Sequence, residues 1–251
     1  MSGISDERRS SAKSRRKGGT MDYPALERAA RRDAAARLMR HAASELEQVV
    51  SGRSDLRAVR HPLGFICLPI LRDGPRGVCV HVFGGFGGSV PSERSPQALS
   101  HQVHSHSWDL TSTVLYGRLG NRHMEVHEET EKPTHRVFEV HSEPSGVDEL
   151  RPTERLVRCL PGVERTSVRG QTYSLPAGEF HTTVLPDGRP TATLVLGRTL
   201  PGRADLSLGP LRAPGHRVVR RMCDATQTAR IAQAAVRRIH EPESADLEPP
   251  A

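Results

Sequence analysis

Three histidines in the sequence have the residue type and the spacing of a metal site. His104 and His106 are separated by one residue. Side chains two positions apart on an extended strand point to the same face, so these two imidazoles can converge on one point. A third ligand has to come from elsewhere in the chain, and His181, at the end of segment 175–181, is the best candidate. Three imidazoles on one side of a metal ion leave its other positions open.

The other histidines and the cysteines fit a metal site less well. His123 and His127 alternate with Glu125, which is typical of a solvated strand face, and a second metal site is the alternative. The cysteines are far apart and form no Cys-x-x-Cys pair; they are Cys67, Cys79, Cys159 and Cys223. This spacing argues against a zinc ribbon and against a dense disulfide scaffold.

The elements that must position these histidines are mostly strands. Between residues 62 and 215 the sequence contains many short apolar segments, with turn signals roughly every ten residues. One of them is the run 104–117, which we predict to be a single strand. The pattern is typical of a β-sandwich or a β-barrel.

Two connections are predicted within this region. Residues 143–154 are expected to form a loop. Segments 181–185 and 191–196 are expected to pair as a hairpin around the turn at 186–190, which contains Pro, Asp and Gly.

Helical segments flank the strands. In the segment 21–61, apolar residues recur at three and four positions from Pro24 to Val50, which predicts one helix. In the segment 216–240 a second stripe has the same spacing; its members are Val218, Met222, Ala225, Ala229, Ala232, Val236 and Ile239. The stripe predicts a helix that packs on the outside of the barrel, with a homodimer seam as the alternative.

Both ends of the chain are highly charged. Residues 1–20 carry six cations and two acids without apolar periodicity, which predicts disorder; translation starting at Met21 is the alternative explanation for this segment. Residues 241–251 carry four acids and are expected to be a disordered acidic tail.

Charge and hydropathy restrict the class of protein. The formal net charge is +7 for 251 residues, and the excess is mostly arginine. This positive charge permits weak attraction to nucleic acid or to an anionic substrate. An arginine-rich composition also follows from a GC-rich genome, however. Nucleic acid is therefore not the expected partner. There is no apolar run of about 18 residues and no signal-peptide core, so we expect a soluble, cytoplasmic protein that does not enter membranes.

The histidine motifs resemble a known two-part signature. The pattern consists of His104-x-His106, of Gly117 eleven residues further on, and of Pro176-x-Gly178-x-x-His181 about sixty residues later. It resembles the signature of the cupin superfamily, whose members are small double-stranded β-barrels with two histidines in the first motif and one in the second. The resemblance covers about residues 63–200. It implies a mainly β fold, a cupin-like double-stranded β-helix barrel over 62–215 with flanking N- and C-terminal α-helices.

One departure from the cupin pattern bears on the metal. The usual glutamate, four or five residues after the second histidine, is replaced by Leu110 and Thr111, and Asp109 points to the opposite face by strand parity. Three histidines without a carboxylate are similar to the cysteine dioxygenase branch, which holds ferrous iron with three neutral ligands. The implied cofactor is therefore a divalent metal, Fe(II) first, with Zn, Ni, Mn or Cu as alternatives, because imidazole suits several of these ions.

The resemblance implies a metal-dependent oxygenase with a small polar substrate and dioxygen as its partners. Neutral ligands leave the ion its full charge, which favours an anionic donor such as a thiol or a carboxylate. Tyr116 and Tyr173, two of the three tyrosines, are the candidate catalytic residues, since a tyrosine positions the substrate in thiol dioxygenases. Trp108 shares the parity of the paired histidines, so it is expected either to wall the pocket or to pack in the core. The alternatives are a non-catalytic cupin that binds or senses a small molecule, and a metal-assisted isomerase or lyase.

Overall fold

The computed structural model describes residues 21–84, 102–185 and 189–241. The predicted disordered tails lie outside these ranges, apart from Glu241. Within the described residues the chain forms two antiparallel sheets of seven strands each, together with three helices. No helix in this part of the chain is long and apolar enough to cross a membrane.

The helices are α1 (Tyr23–Arg31), α2 (Ala35–Val50) and α3 (Ala225–His240). The strands are β1 (Val59–Arg60), β2 (Ile66–Asp73), β3 (Arg76–Phe83), β4 (His104–Ser105), β5 (Trp108–Tyr116), β6 (Arg118–Glu128), β7 (His135–Ser142), β8 (Val147–Val168), β9 (Thr172–Leu175), β10 (His181–Val184), β11 (Thr191–Thr199), β12 (Asp205–Gly209), β13 (His216–Val219) and β14 (Arg221–Met222).

From β3 to β6 and again from β8 to β12, strands that follow one another along the chain alternate between the two sheets. The first sheet contains the order β3–β11–β5–β9, and the second contains β4–β10–β6–β8. Consecutive strands in these two stretches therefore lie in different sheets, whereas β1–β2, β2–β3 and β7–β8 are antiparallel pairs of consecutive strands. This order is that of a double-stranded β-helix. It confirms the predicted mainly β, cupin-like fold class with flanking helices.

The larger apolar core lies between the helices and the first sheet. Leu38 of α2, Leu68 of β2, Leu194 of β11 and Ile231 of α3 are buried together there. A smaller core lies on the second sheet and contains Val137, Val157, Phe180 and Leu208. An extra pairing of β7 with β8 closes the strands around this smaller core into a ring.

Two predictions about helices are corrected. The single helix predicted from Pro24 to Val50 is two helices, because the chain breaks at Asp33, whose φ is +52°. The apolar period nevertheless continues across the break, since both helices pack on the same core. The helix predicted over 216–240 begins only at Ala225, where Asp224 and Gln227 form a capping box that stops the helix from extending toward the N-terminus.

The predicted apolar stripe of this last helix is therefore only partly right. Val218 lies on β13 and Met222 on β14, and Met222 is 70% exposed. The face that α3 buries instead is formed by Thr228, Ile231, Ala232, Ala235 and Ile239. Val236 is partly buried against the same core. The helix packs on the barrel in this chain, and the homodimer stays a prediction.

Two predictions about connections are also wrong. Most of the predicted loop at 143–154 belongs to β8; Pro152 is tolerated because it lies at the register shift of the β7–β8 pair. The predicted hairpin of 181–185 with 191–196 does not form, because β10 is in the second sheet and β11 is in the first. Three residues of the turn between them, 186–188, are outside the described residues.

Candidate metal centre

Two neighbouring strands and one crossover position the three histidines. His104 on β4 and His181 on β10 are direct partners in the antiparallel pairing of these strands. His106 follows β4 at the point where the chain leaves the second sheet for the first. The run 104–117, predicted as one strand, is thus two strands in different sheets. The crossover is held by the backbone N–H of Ser107, which donates to a carboxylate oxygen of Asp205 at 2.6 Å.

The imidazoles converge as predicted from their spacing. One ring nitrogen from each of His104, His106 and His181 lies within 4.8 Å of the other two. The ring centroids of His104 and His181 are 4.4 Å apart, and those of His106 are 4.9 and 5.1 Å from them. His181 is only 2% exposed. Three donor atoms at these separations can reach one ion.

Hydrogen bonds to backbone carbonyls fix the tautomers of two of the rings. Nδ1 of His104 lies 2.9 Å from the carbonyl oxygen of Gln102, and Nδ1 of His181 lies 3.2 Å from that of Glu179. A carbonyl oxygen can only accept, so the proton of each neutral ring is on Nδ1 and the lone pair is on Nε2. Metal-binding histidines in proteins are usually held in this way.

The environment keeps the cluster uncharged. Burial lowers the pKa of His181 to about 3 and also lowers the pKa of His104. The pKa of His106 is held well below its ordinary value, first by burial and then by the neighbouring imidazoles, including those of His61 and His81. Neutral imidazoles are the form that binds metal ions, and no proton has to be removed from Nε2 first.

The segment before the third histidine is tied to the first motif. The backbone N–H of Gly178 donates to the carbonyl oxygen of His106 at 2.8 Å. The N–H of Ala177 donates to the carboxylate of Asp109 at 3.1 Å. Asp109 thus points away from the histidines, as its parity predicted, and holds the turn before His181. In the described residues no carboxylate joins the three histidines.

Trp108 forms one side of the cluster. Its ring lies 4.3 Å from that of His106, centroid to centroid. The indole can lie against β11 because residue 197 is glycine, whose added Cβ would be 2.9 Å from the Trp108 ring. Gly197 is not among the residues predicted from the sequence, although a glycine inside a strand is a signal for close approach. Asp205 is not among them either, and it has no comparable signal.

The two candidate catalytic tyrosines lie in different environments. Tyr116 is 4% exposed in the core between the helices and the first sheet, with the guanidinium of Arg238 5.9 Å from its ring centroid. The structure therefore does not bring Tyr116 to the histidines, because a register shift in the β5–β11 pair turns it toward the helices.

Tyr173 is placed on the other side of the first sheet. It pairs with Ser112 across β9 and β5; burial raises the pKa of its phenol, and the nearby side chains of Ser112 and Asn121 lower that pKa by a smaller amount. Asn121 pairs with Thr183, two residues from His181, so its side chain and that of His181 lie on the same face of the second sheet. Tyr173 therefore faces the barrel interior that holds the histidines.

The fold and the cluster define a double-stranded β-helix protein with three convergent histidines. No protein-family model matches the chain, and no curated protein matches it either. The cupin domain of Schizosaccharomyces pombe Cnp3 is similar in structure, with a TM-score of 0.30 and 6% identity over 54% of this chain and 61% of that one.

Two further solved structures show a similar extent of likeness. A conserved protein with a double-stranded β-helix domain from Klebsiella pneumoniae has a TM-score of 0.31 and 13% identity, over 58% of this chain and 84% of that one. Hydroquinone 1,2-dioxygenase from Sphingomonas sp. TTNP3, with 4-hydroxybenzoate bound, has a TM-score of 0.28 and 11% identity, over 52% of this chain and 63% of that one. The match thus spans less than two thirds of the Cnp3 domain and of the dioxygenase. These values assign neither an activity nor a ligand to this chain.

Proposed function

We propose that His104, His106 and His181 hold one divalent metal ion and that the protein is a metal-dependent oxygenase. The observation that carries the proposal is the pair of Nδ1–carbonyl hydrogen bonds at His104 and His181, which leave both Nε2 lone pairs free in a buried cluster of three rings. A cluster kept only for packing would not need this arrangement.

The donor set favours iron(II) with an anionic substrate. Three neutral ligands leave the charge of the ion uncompensated, so a thiolate or a carboxylate of a small substrate would bind well beside them. When bound, the metal would supply a Lewis-acidic, redox-active centre with positions open to substrate and dioxygen.

The residues around the cluster have separate tasks in this proposal. Trp108 covers one side of His106 and excludes water there. The hydroxyl of Tyr173, which lies near the side chains of Ser112 and Asn121, is the polar group that would orient the far end of a substrate in the barrel. Tyr116 has no part, since it lies in the core on the helix side of the first sheet.

Oxygen consumption tests this function. Protein reconstituted with iron(II) without air is mixed with a panel of small thiols and carboxylates, and oxygen uptake is recorded. The proposal predicts uptake with at least one of these compounds, its loss in His106→Ala, and wild-type uptake in His127→Ala, which changes an exposed histidine of β6. The proposal fails if iron binds and no compound promotes uptake, or if zinc-loaded protein is equally active.

A further inference from the structure

A second group of metal-binding side chains lies on the inner face of the first sheet. Cys67 on β2 is the direct partner of His81 on β3, and Cys79 lies two residues before His81. The residues between them, such as Leu68 and Val80, belong to the core beneath the helices. Because side chains alternate along a strand, the two thiols and the imidazole face the opposite way, into the barrel.

The three groups are close enough to share a ligand. Their two sulfur atoms and one ring nitrogen all lie within 4.8 Å of one another. Sγ of Cys79 is 3.2 Å from Nε2 of His81. The ring of Phe65 lies 4.5 Å from that of His81, centroid to centroid, and restricts its orientation. All three residues are half-buried, so an ion could still reach them.

We propose that Cys67, Cys79 and His81 form a second metal site, distinct from the three histidines, that binds a thiophilic ion such as zinc. Zinc bonds of about 2.3 Å to sulfur and about 2.0 Å to nitrogen place tetrahedral donors roughly 3.5–3.8 Å apart. The observed cluster is near this size. On binding, both thiols lose their protons to solvent and the fourth position stays open toward the barrel interior.

A disulfide is the competing use of two such thiols, and the register argues against it. Cys67 pairs with His81 and Cys79 pairs with Pro69, so the cysteines are diagonal neighbours on antiparallel strands. The Cα atoms of diagonal neighbours are typically about 7–8 Å apart, beyond the usual range for a disulfide. A bridging ion accommodates the greater separation, and both cysteines are free thiols in the structure.

Donor chemistry separates the two sites. Thiolates are soft ligands that select zinc and other thiophilic ions, whereas a set of imidazoles alone accepts several metals. The proposal does not depend on the function of the histidine cluster, and the two can be tested apart.

Cobalt(II) is a suitable probe, because a cobalt–thiolate bond has a charge-transfer absorption that a cobalt–imidazole bond lacks. Addition of cobalt(II) to the reduced, metal-free full chain should produce this band. We expect loss of the band in Cys67→Ser and in Cys79→Ser, and its retention in His181→Ala. Cys159→Ser is the matched control, since Cys159 is a half-buried free thiol beside the smaller core.

Thiol alkylation of the wild-type protein provides a test that needs no variant. With zinc present, Cys67 and Cys79 should be protected from a small alkylating reagent while Cys159 reacts, and a chelator should abolish the protection. The inference is overturned if saturating cobalt gives no thiolate band, if the band survives both cysteine substitutions, or if zinc leaves the alkylation of Cys67 and Cys79 unchanged.

Discussion

The backbone N–H of Gly178 donates to the carbonyl oxygen of His106 at 2.8 Å, and this bond joins the two histidine motifs directly. One motif thereby positions the other: the turn that leads to His181 is fixed by the residue that supplies the second imidazole. The cluster therefore depends on the turn as well as on the three histidines.

Substitution of Gly178 tests this dependence. Gly178 has a φ of +87°, and an added Cβ would lie 2.5 Å from Nη1 of Arg203, which donates to the carbonyl oxygen of Ala177 at 2.8 Å. We expect Gly178→Ala to cost about 1 kcal/mol of stability from the backbone conformation and to weaken metal binding as the turn shifts. Urea unfolding and metal titration measure the two effects.

Gly202→Ala is the matched control for the backbone effect. Gly202 has a φ of +74°, but nothing lies within 4 Å of an added Cβ. It should lose a similar amount of stability and keep wild-type metal affinity. Equal metal affinities in the two variants would show that the turn does not position His181.

Substitution of the two tyrosines by phenylalanine should separate their roles. Tyr173 faces the barrel interior near Ser112 and Asn121 and is not a member of the cluster of three converging histidines, so Tyr173→Phe should leave metal content unchanged and lower turnover. Within the described residues the hydroxyl of Tyr116 has no hydrogen-bond partner, so Tyr116→Phe should leave activity unchanged and stability equal or slightly higher. Steady-state kinetics and urea unfolding report the difference, and the opposite ranking of activities would refute the assignment.

The metal-free protein should become less stable in acid. The folded-state pKa of His181 is about 3, below its ordinary value of 6.5, because of burial. The unfolded chain therefore binds more protons between these values, and stability falls as the pH falls through this range. Urea midpoints from neutral pH to pH 4 measure the slope, and His181→Gln should reduce it. An unchanged slope in the variant would mean that other groups cause the acid sensitivity.

The corrected start of α3 gives a prediction about stability. Ile231 is 3% exposed on the buried face of α3, so Ile231→Ala should cost about 2–4 kcal/mol. Met222→Ala should cost almost nothing, because Met222 is an exposed residue of β14 rather than part of a buried helical stripe. Denaturant unfolding of both variants is the measurement. Comparable losses of stability in the two variants would support the longer helix that the periodicity predicts.

Local periodicity predicted those features that depend on neighbouring residues. The alternation of His104 and His106 placed both imidazoles on one side, and the motif before His181 identified the third ring. The crossover at Ser107 could not be predicted in this way, because it is set by Asp205, about a hundred residues away. The pairing of β10 with β4 and β6 rather than with β11 likewise depends on the whole barrel.

The thiol cluster is not among the sites predicted from the sequence, although part of its pattern is visible there. Cys79 and His81 alternate on β3 in the same manner as the first two histidines, but Cys67 joins them only through the register of β2 with β3. The spacing of cysteines along the sequence does not reveal such a register. A search for ligand pairs at alternate positions on neighbouring strands would have found the cluster.

The most direct test of the central claim is the iron content of the histidine variants. After reconstitution with iron(II) and removal of unbound metal, the wild-type protein is compared with His104→Ala, His106→Ala and His181→Ala by elemental analysis. His123→Ala and His127→Ala, which change exposed histidines of β6, serve as controls. Each of the first three substitutions should remove about one iron per chain relative to wild type, since two imidazoles bind far more weakly than three, and the controls should remove none. Iron content at the wild-type level in His181→Ala would contradict the proposal that the three histidines hold a metal ion.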